Sequence, residues 1–254
     1  MLQSTYSSAL VALSLLVATL ASYTTLDLAG RISKLGVSRY RRYWLVGGAF
    51  SMGIGIWSMH FVGMLAFSLP IPLGYDPSIT LASLLIAVLV SYFALTLVTS
   101  GLLSIVRLLS GGLLMGIGIA AMHYTGMGAM RMAPGIEYNP AIFLLSVLIA
   151  VVASTAALWI AFTLRAGTHT YLLARRLGAA LVMGLAITGM HYTGMGAANF
   201  PLGSVCGAAT GIDTNWLAAL TVATTISAAS QLVSMPVAAP HTLPSGKLAA
   251  PMPV

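Results

Sequence analysis

Apolar residues fall in long unbroken blocks along this chain, separated by short polar gaps. Seven blocks, at roughly 7–28, 43–67, 79–100, 112–130, 141–164, 178–199 and 215–235, come close to the about 20 residues a helix needs to cross hydrocarbon. Only helices or closed barrels satisfy every backbone group in lipid, and the blocks lack the two-residue alternation of barrel strands. The pattern predicts an all-α, polytopic membrane protein with seven transmembrane helices over residues 1–235. From residue 236 onward Pro236, Pro240, Pro244, Pro251 and Pro253 stand among alanines. That composition predicts a disordered cytoplasmic tail over 236–254, with no soluble output domain after it.

Composition agrees with the pattern. The 254 residues are 59% hydrophobic and only 6% charged, with a mean hydropathy of +0.98, whereas a soluble domain is about one quarter charged. The net charge of +7 does not make a nucleic-acid partner, because the basic residues sit in the gaps between apolar blocks. The expected partner is the lipid bilayer. With Cys206 the single cysteine, no disulfide forms within the chain. No basic residue precedes Arg31, so the first block reads as a retained helix rather than a cleavable signal.

Lys and Arg counts orient the chain. The first gap carries Arg31, Lys34, Arg39, Arg41 and Arg42, the third Arg107, the fifth Arg165, Arg175 and Arg176, and the tail Lys247. The opposite side has only Arg131, beside Asp76, Glu137 and Asp213. This places the chain in a bacterial cytoplasmic (inner) membrane as a multi-pass protein, N-terminus outside and C-terminus cytoplasmic. The basic first loop orients the protein and touches anionic lipid.

One phrase recurs in the even-numbered blocks: SMHFVGMLAF (Ser58–Phe67), AMHYTGMGAM (Ala121–Met130) and GMHYTGMGAA (Gly189–Ala198). Met52, Met115 and Met183 each stand eight residues before the histidine, and Gly53, Gly116 and Gly184 seven before. Odd-numbered blocks repeat too, with Ser22, Ser91, Ser154 and, more weakly, Ser227 in one register. The chain is therefore a helical hairpin used three times plus a closing seventh helix, an arrangement that favours sites at repeat interfaces.

Histidine inside an apolar span needs polar partners or a function. Three in one context, each followed four residues on by methionine, point to a soft-metal site. On a 3.6-residue helix the pairs His60/Met64, His123/Met127 and His191/Met195 share a face. If helices two, four and six surround one axis, three imidazoles and three thioethers converge near the outer membrane face. Met59, Met122 and Met190 lie about 100° round the helix and line a second site or a path. Imidazole suits copper, zinc, iron and nickel, and thioether selects Cu(I). No thiolate and no nearby carboxylate argues against structural zinc and hard cations. Copper is the favoured ion, with haem on two of the histidines the competing cofactor. Tyr124 and Tyr192 read as orienters of a neighbouring imidazole or as a gate. Thr125 and Thr193 are placed to satisfy carbonyls one turn back. The glycines read as packing devices, Asp27 as the partner of Arg31 and Cys206 as a spectator; His169 and His241 receive no role.

At these residues the chain resembles the MHYT domain family of bacterial integral membrane sensors. The tetrapeptide stands unaltered at Met122–Thr125 and Met190–Thr193, with MHFV at Met59–Val62, and SYTTLDLAGR (Ser22–Arg31) resembles the family's first helix and its exit. The likeness spans about residues 7–235. It implies a cytoplasmic-membrane sensor whose copper site, at Met59, His60, Met122, His123, Met190 and His191 with Met64, Met127 and Met195, responds to oxygen, carbon monoxide or nitric oxide. Many members join this unit to domains that make or hydrolyse cyclic di-GMP.

Three functions follow. The first is a signal-transduction sensor in which a diatomic gas or a redox change alters the metal's coordination and a cytoplasmic partner reads the helix shift. The second is a copper carrier or transport protein, with the His/Met ladder as stepping sites. The third is a haem-containing membrane redox protein. No acid–base residue stands beside the motifs, and no enzyme activity is expected.

Overall fold

The computed structural model describes residues 1–36, 38–165, 171–208, 211–213, 216–221 and 223. Among them, six helices are long and apolar enough to cross a membrane: α1 (Ser8–Lys34), α2 (Arg39–Ala66), α3 (Pro77–Thr99), α4 (Ile105–Gly128), α5 (Pro140–Leu164) and α6 (Leu172–Ala197). Of the seventh predicted span, residues 216–221 are helical. Most of that span, the tail 236–254, His169 and His241 lie outside the described residues.

The helices coincide with the first six apolar blocks but overrun several of them at the basic end. α1 continues to Lys34, while α2, α4 and α6 begin at Arg39, Ile105 and Leu172. Apolar blocks mark contact with lipid, whereas backbone hydrogen bonding continues through charged turns until a cap ends it. Ser38 and Ser104 supply such caps, their hydroxyls accepting from Tyr40 N–H and Arg107 N–H. At the other end Asp76 and Asn139 cap α3 and α5, each followed by proline at the first helical position.

Each helix packs on its two neighbours in the chain, and α6 packs back on α1, so the six close into a ring. Outward faces carry leucines such as Leu16, Leu20, Leu85, Leu89, Leu148 and Leu185, as a lipid-facing surface requires. The contacts repeat around the ring. Gly53 lies against the Val88 backbone of α3, Gly116 against Val151 of α5, and Gly184 against Thr19 of α1. A Cβ on Gly116 would stand 2.5 Å from Val151 Cα, so these glycines let each even helix approach the next odd one closely.

The motif ends are laced together by eight two-residue strands: β1 (Thr5–Tyr6), β2 (Phe67–Ser68), β3 (Gly74–Tyr75), β4 (Met132–Ala133), β5 (Glu137–Tyr138), β6 (Ala198–Asn199), β7 (Val205–Cys206) and β8 (Ile212–Asp213). β1 pairs with β2, and the chain leaving α6 pairs in turn with β5, β4 and β3, all antiparallel. Ser7, Asp76 and Asn139, one at the start of each odd helix, donate their N–H to the carbonyls of Ala66, Ala129 and Ala197 at 2.9, 2.8 and 2.8 Å. Those three alanines each stand six residues past a motif histidine. Both ends of every hairpin are thereby pinned at the level of the motifs.

At the basic end, Asp27 accepts from Arg31 Nε at 2.6 Å and from Arg176 Nη1 of α6 at 3.0 Å. The Arg31 pairing matches the sequence reading, and the Arg176 bond adds a cross-link between α1 and α6. Arg41 donates to the Thr99 carbonyl at 3.3 Å, and Arg165 to the Val98 and Gly101 carbonyls. Cations thus meet orphan carbonyls at a helix C-terminus, where the dipole favours them.

Candidate metal centre

The closed ring points α2, α4 and α6 at one another on the inside, and the three motif histidines meet there. His60 Nδ1 stands 3.1 Å from His123 Nδ1 and 3.2 Å from His191 Nδ1. Ring centroids are 4.9, 5.1 and 5.1 Å apart, and every pair of rings is nearly perpendicular, at 80–90°. Each ring is 1% exposed.

The motif glycine explains how three rings fit. Gly126 faces His60 Nε2, Gly194 faces His123 Nε2, and Gly63 faces His191 Nε2, each so closely that a Cβ would collide with the imidazole. Every histidine therefore lies over the glycine three residues past the histidine of another copy. The three copies interlock in a cycle, α2 on α4, α4 on α6 and α6 on α2.

His60 Nδ1 faces two other Nδ1 atoms at once, and protons cannot satisfy all three. A neutral imidazole carries its proton on one nitrogen, so a shared proton serves one pair and leaves another lone pair facing them. The Nε2 atoms of His60 and His123 are also buried with no hydrogen-bond partner among the described residues. A cation at the centre would engage all three lone pairs at once. A tetrahedral ion with metal–nitrogen bonds of about 2.0 Å spaces its ligands about 3.3 Å apart, close to the 3.1 and 3.2 Å found here. Among the described residues, His60, His123 and His191 form the group of candidate metal ligands, with no acidic side chain or thiol in it.

The methionines distribute differently. Met64, Met127 and Met195 are buried in the main core, as are Met122 and Met190. Met59 instead packs with Val17, Ala18 and Ile187, between α1 and α6. Met190 also lines a cavity beneath the histidines. On a helical wheel the residues eight, four and one before the histidine and the glycine three after it cluster about 60° to one side. Of these, the residues eight and four before the histidine line the axial cavity, and the glycine three after it faces a neighbouring imidazole.

The tyrosines take a role that spacing alone does not reveal. Tyr124 and Tyr192 turn their hydroxyls away from the imidazoles, to Ser146 Oγ at 2.6 Å and Ser14 Oγ at 3.1 Å. In the first copy Phe61 has no hydroxyl, and Ser83 accepts from Trp57 Nε1 at 3.1 Å instead. Ser14, Ser83 and Ser146 occupy one register of the odd helices, so this is a third repeating tie. It corrects the reading of these phenols as imidazole orienters. Thr193 does bond the Gly189 carbonyl one turn back, at 2.8 Å. Cys206 is half-buried and donates to the Met130 carbonyl at 2.9 Å. In the lacing strands, burial pushes the Tyr138 phenol up to about 12, helped by Tyr124, and raises Tyr75 likewise, helped by Cys206.

A ring of apolar helices around a buried trihistidine cluster defines a helical membrane protein built from an internal repeat. Comparison with known proteins gives the family. A model described as "Bacterial signalling protein N terminal repeat", MHYT, matches residues 53–111 and 116–174, and the chain belongs to the MHYT family. The third motif lies beyond both matches, yet His191 completes the cluster.

Over 228 residues the chain is 64% identical to "Bifunctional diguanylate cyclase/cyclic di-GMP phosphodiesterase MucR" of Pseudomonas aeruginosa, covering 89% of this chain and 33% of that protein. It is 46% identical over 193 residues to "Cyclic di-GMP phosphodiesterase NbdA" of the same organism, covering 76% and 24%. It is 40% identical over 197 residues to "Signaling protein YkoW" of Bacillus subtilis, covering 77% and 24%. The chain spans a third or less of the length of these relatives. No solved structure matches.

Proposed function

We propose that this chain is the sensing unit of a membrane signalling protein, holding one copper ion on His60, His123 and His191 and reporting a diatomic gas or a change of redox state. The observation that carries the reading is that the buried Nδ1 of His60 stands 3.1 and 3.2 Å from those of His123 and His191, with the ligand atoms of all three within 4.8 Å of one another. Copper suits a site of neutral imidazoles in a methionine-rich core, because Cu(I) there leaves a single buried charge. Met59, Met122 and Met190 adjoin the histidines in sequence, and Met64, Met127 and Met195 follow one turn on, so the surroundings are rich in methionine. Copper held by His60, His123 and His191 would supply affinity for a small ligand and a one-electron couple. The chain's own residues hold the imidazoles in place, exclude water and couple them to the helices.

That coupling is mechanical. Each ring rests on the glycine of the next copy, so a shift of one imidazole presses on a second helix. Such a shift biases signalling only if the two helix arrangements hold the metal differently. The basic ends of α1, α3, α5 and α6, joined by Asp27, Arg176 and Arg165, are where the movement would reach a cytoplasmic partner. Two relatives carry names of cyclic di-GMP enzymes, which supports cyclic di-GMP turnover as the output. The bias of Lys and Arg to one side supports an inner-membrane location with the N-terminus outside and the C-terminus cytoplasmic.

The carrier reading keeps some support from the axial cavity beneath the histidines. The haem reading loses support, because the close approach of His60 to His123 and His191 would leave no room for a macrocycle between two of the imidazoles. The test is the optical and electron-paramagnetic spectrum of the copper-loaded chain under carbon monoxide and nitric oxide. A spectral change lost in His60→Ala is expected; a gas-insensitive copper spectrum would remove the sensor reading.

A further inference from the structure

Beneath the histidines the axis of the ring is hollow. A cavity of about 40 Å³ is lined by Met52, Met115 and Met183, with Ile56, Ile119 and Ile187 above them. A second cavity, of about 20 Å³, continues toward the basic end, and the same three methionines line it. They stand eight residues before the histidines, about 12 Å further along the axis at 1.5 Å per residue. Three methionines, one from each even helix, thus border both chambers.

The hydroxyls of the odd helices set this place apart from an ordinary packing gap. Ser22 and Ser154 line the larger cavity, are each 2% exposed, and have hydroxyls with no hydrogen-bond partner among the described residues. Ser91, in the same register of α3, is buried and unpartnered as well. Buried hydroxyls are normally paired, and serine in a helix readily bonds a carbonyl one turn back; Thr25 and Thr188 nearby do so. Hydroxyls left open onto a chamber large enough for a water are placed to receive something that enters it.

We propose that Met52, Met115 and Met183 form a second soft-metal site, taking a monovalent ion of the Cu(I) class on their thioethers, with a water held by Ser22 and Ser154 completing its surroundings. Thioether selects soft ions over zinc or magnesium, and among the described residues no acidic side chain lines either cavity. A monovalent ion keeps the buried charge at one. The Ile56, Ile119 and Ile187 layer separates this site from the histidines, so the two bind independently.

The test titrates the full chain in lipid nanodiscs with Cu(I) against a competing chelator, with X-ray absorption on the loaded protein. Wild type is expected to bind two ions, and Met52→Leu/Met115→Leu/Met183→Leu one ion with a nitrogen-only shell. His60→Ala/His123→Ala/His191→Ala should keep one ion with a sulfur shell. Met115→Leu alone, the smaller perturbation, should weaken the second ion at least about tenfold, and Ag(I) but not Zn(II) should displace it. Sulfur scattering that survives the triple methionine substitution, or equal stoichiometry in it and wild type, overturns the proposal. A single ion on nitrogen in wild type overturns this site and leaves the histidine site standing. A single ion on sulfur does the reverse.

Discussion

The first motif copy and the other two differ in sequence, and the fold shows why. In α4 and α6 the histidine is followed by Tyr-Thr, and both residues are partly exposed. In α2 it is followed by Phe61 and Val62, 0% and 4% exposed. α2 is also the most enclosed helix, with 78% of its apolar window buried against 22–39% in the other five. Phe61 is packed between Trp57 and Tyr75, and the segment that leaves α6 runs across to pair with β3 beside it. A phenol there would find Ser83, the serine of that register, already held by Trp57. The departure from the motif is thus a response to burial. The same copy is the hub of the cluster, because His60 makes both close Nδ1 contacts.

The largest effect is expected from removing the hub. His60→Ala should lower copper affinity more than His123→Ala or His191→Ala, by at least about 100-fold, since losing an outer-shell partner alone costs about 10–100-fold; chelator competition reads this. The motif glycines come next. Gly126→Ala places a methyl against His60 Nε2, whereas Gly63→Ala meets His191. Each should cost about 1–3 kcal/mol by overpacking, seen as a lower unfolding temperature in detergent, and Gly126→Ala should weaken copper more. Phe61→Tyr buries an unpartnered hydroxyl and should destabilise by about 1–3 kcal/mol. The reverse change, Tyr124→Phe, loses one bond to Ser146 and should cost about 0.5–1.5 kcal/mol. The smallest effect belongs to the basic end: Asp27→Asn removes two partly exposed ion pairs, worth about 1 kcal/mol or less, and should leave copper retention unchanged. Equal responses of the three copies to these substitutions would erase the distinction drawn between them.

Much of this was legible in the sequence. Block length and the spacing of His60, His123 and His191 predict six of the observed helices and bring the three imidazoles to one level. Block edges misplace the basic ends, because hydropathy follows lipid while the helix follows its caps at Ser38 and Ser104. The stripe through His60 and Met64 is a sound reading of helical period, but period alone does not say which way a helix is turned. Gly63, Gly126 and Gly194 set that rotation, since a ring can approach a neighbouring helix only where a side chain is missing. Their constant offset from each histidine was the available signal. The ties from Tyr124 to Ser146 and from Tyr192 to Ser14 join residues of different repeats, so a reading confined to the motif does not reach them.

The central claim is that the three motif imidazoles form one metal centre. Elemental analysis of the purified chain beside His60→Ala/His123→Ala/His191→Ala, with X-ray absorption on the metal found, tests it most directly. Wild type is expected to retain copper with a nitrogen shell that the variant lacks. Equal copper content and an unchanged nitrogen shell in both proteins would contradict the account.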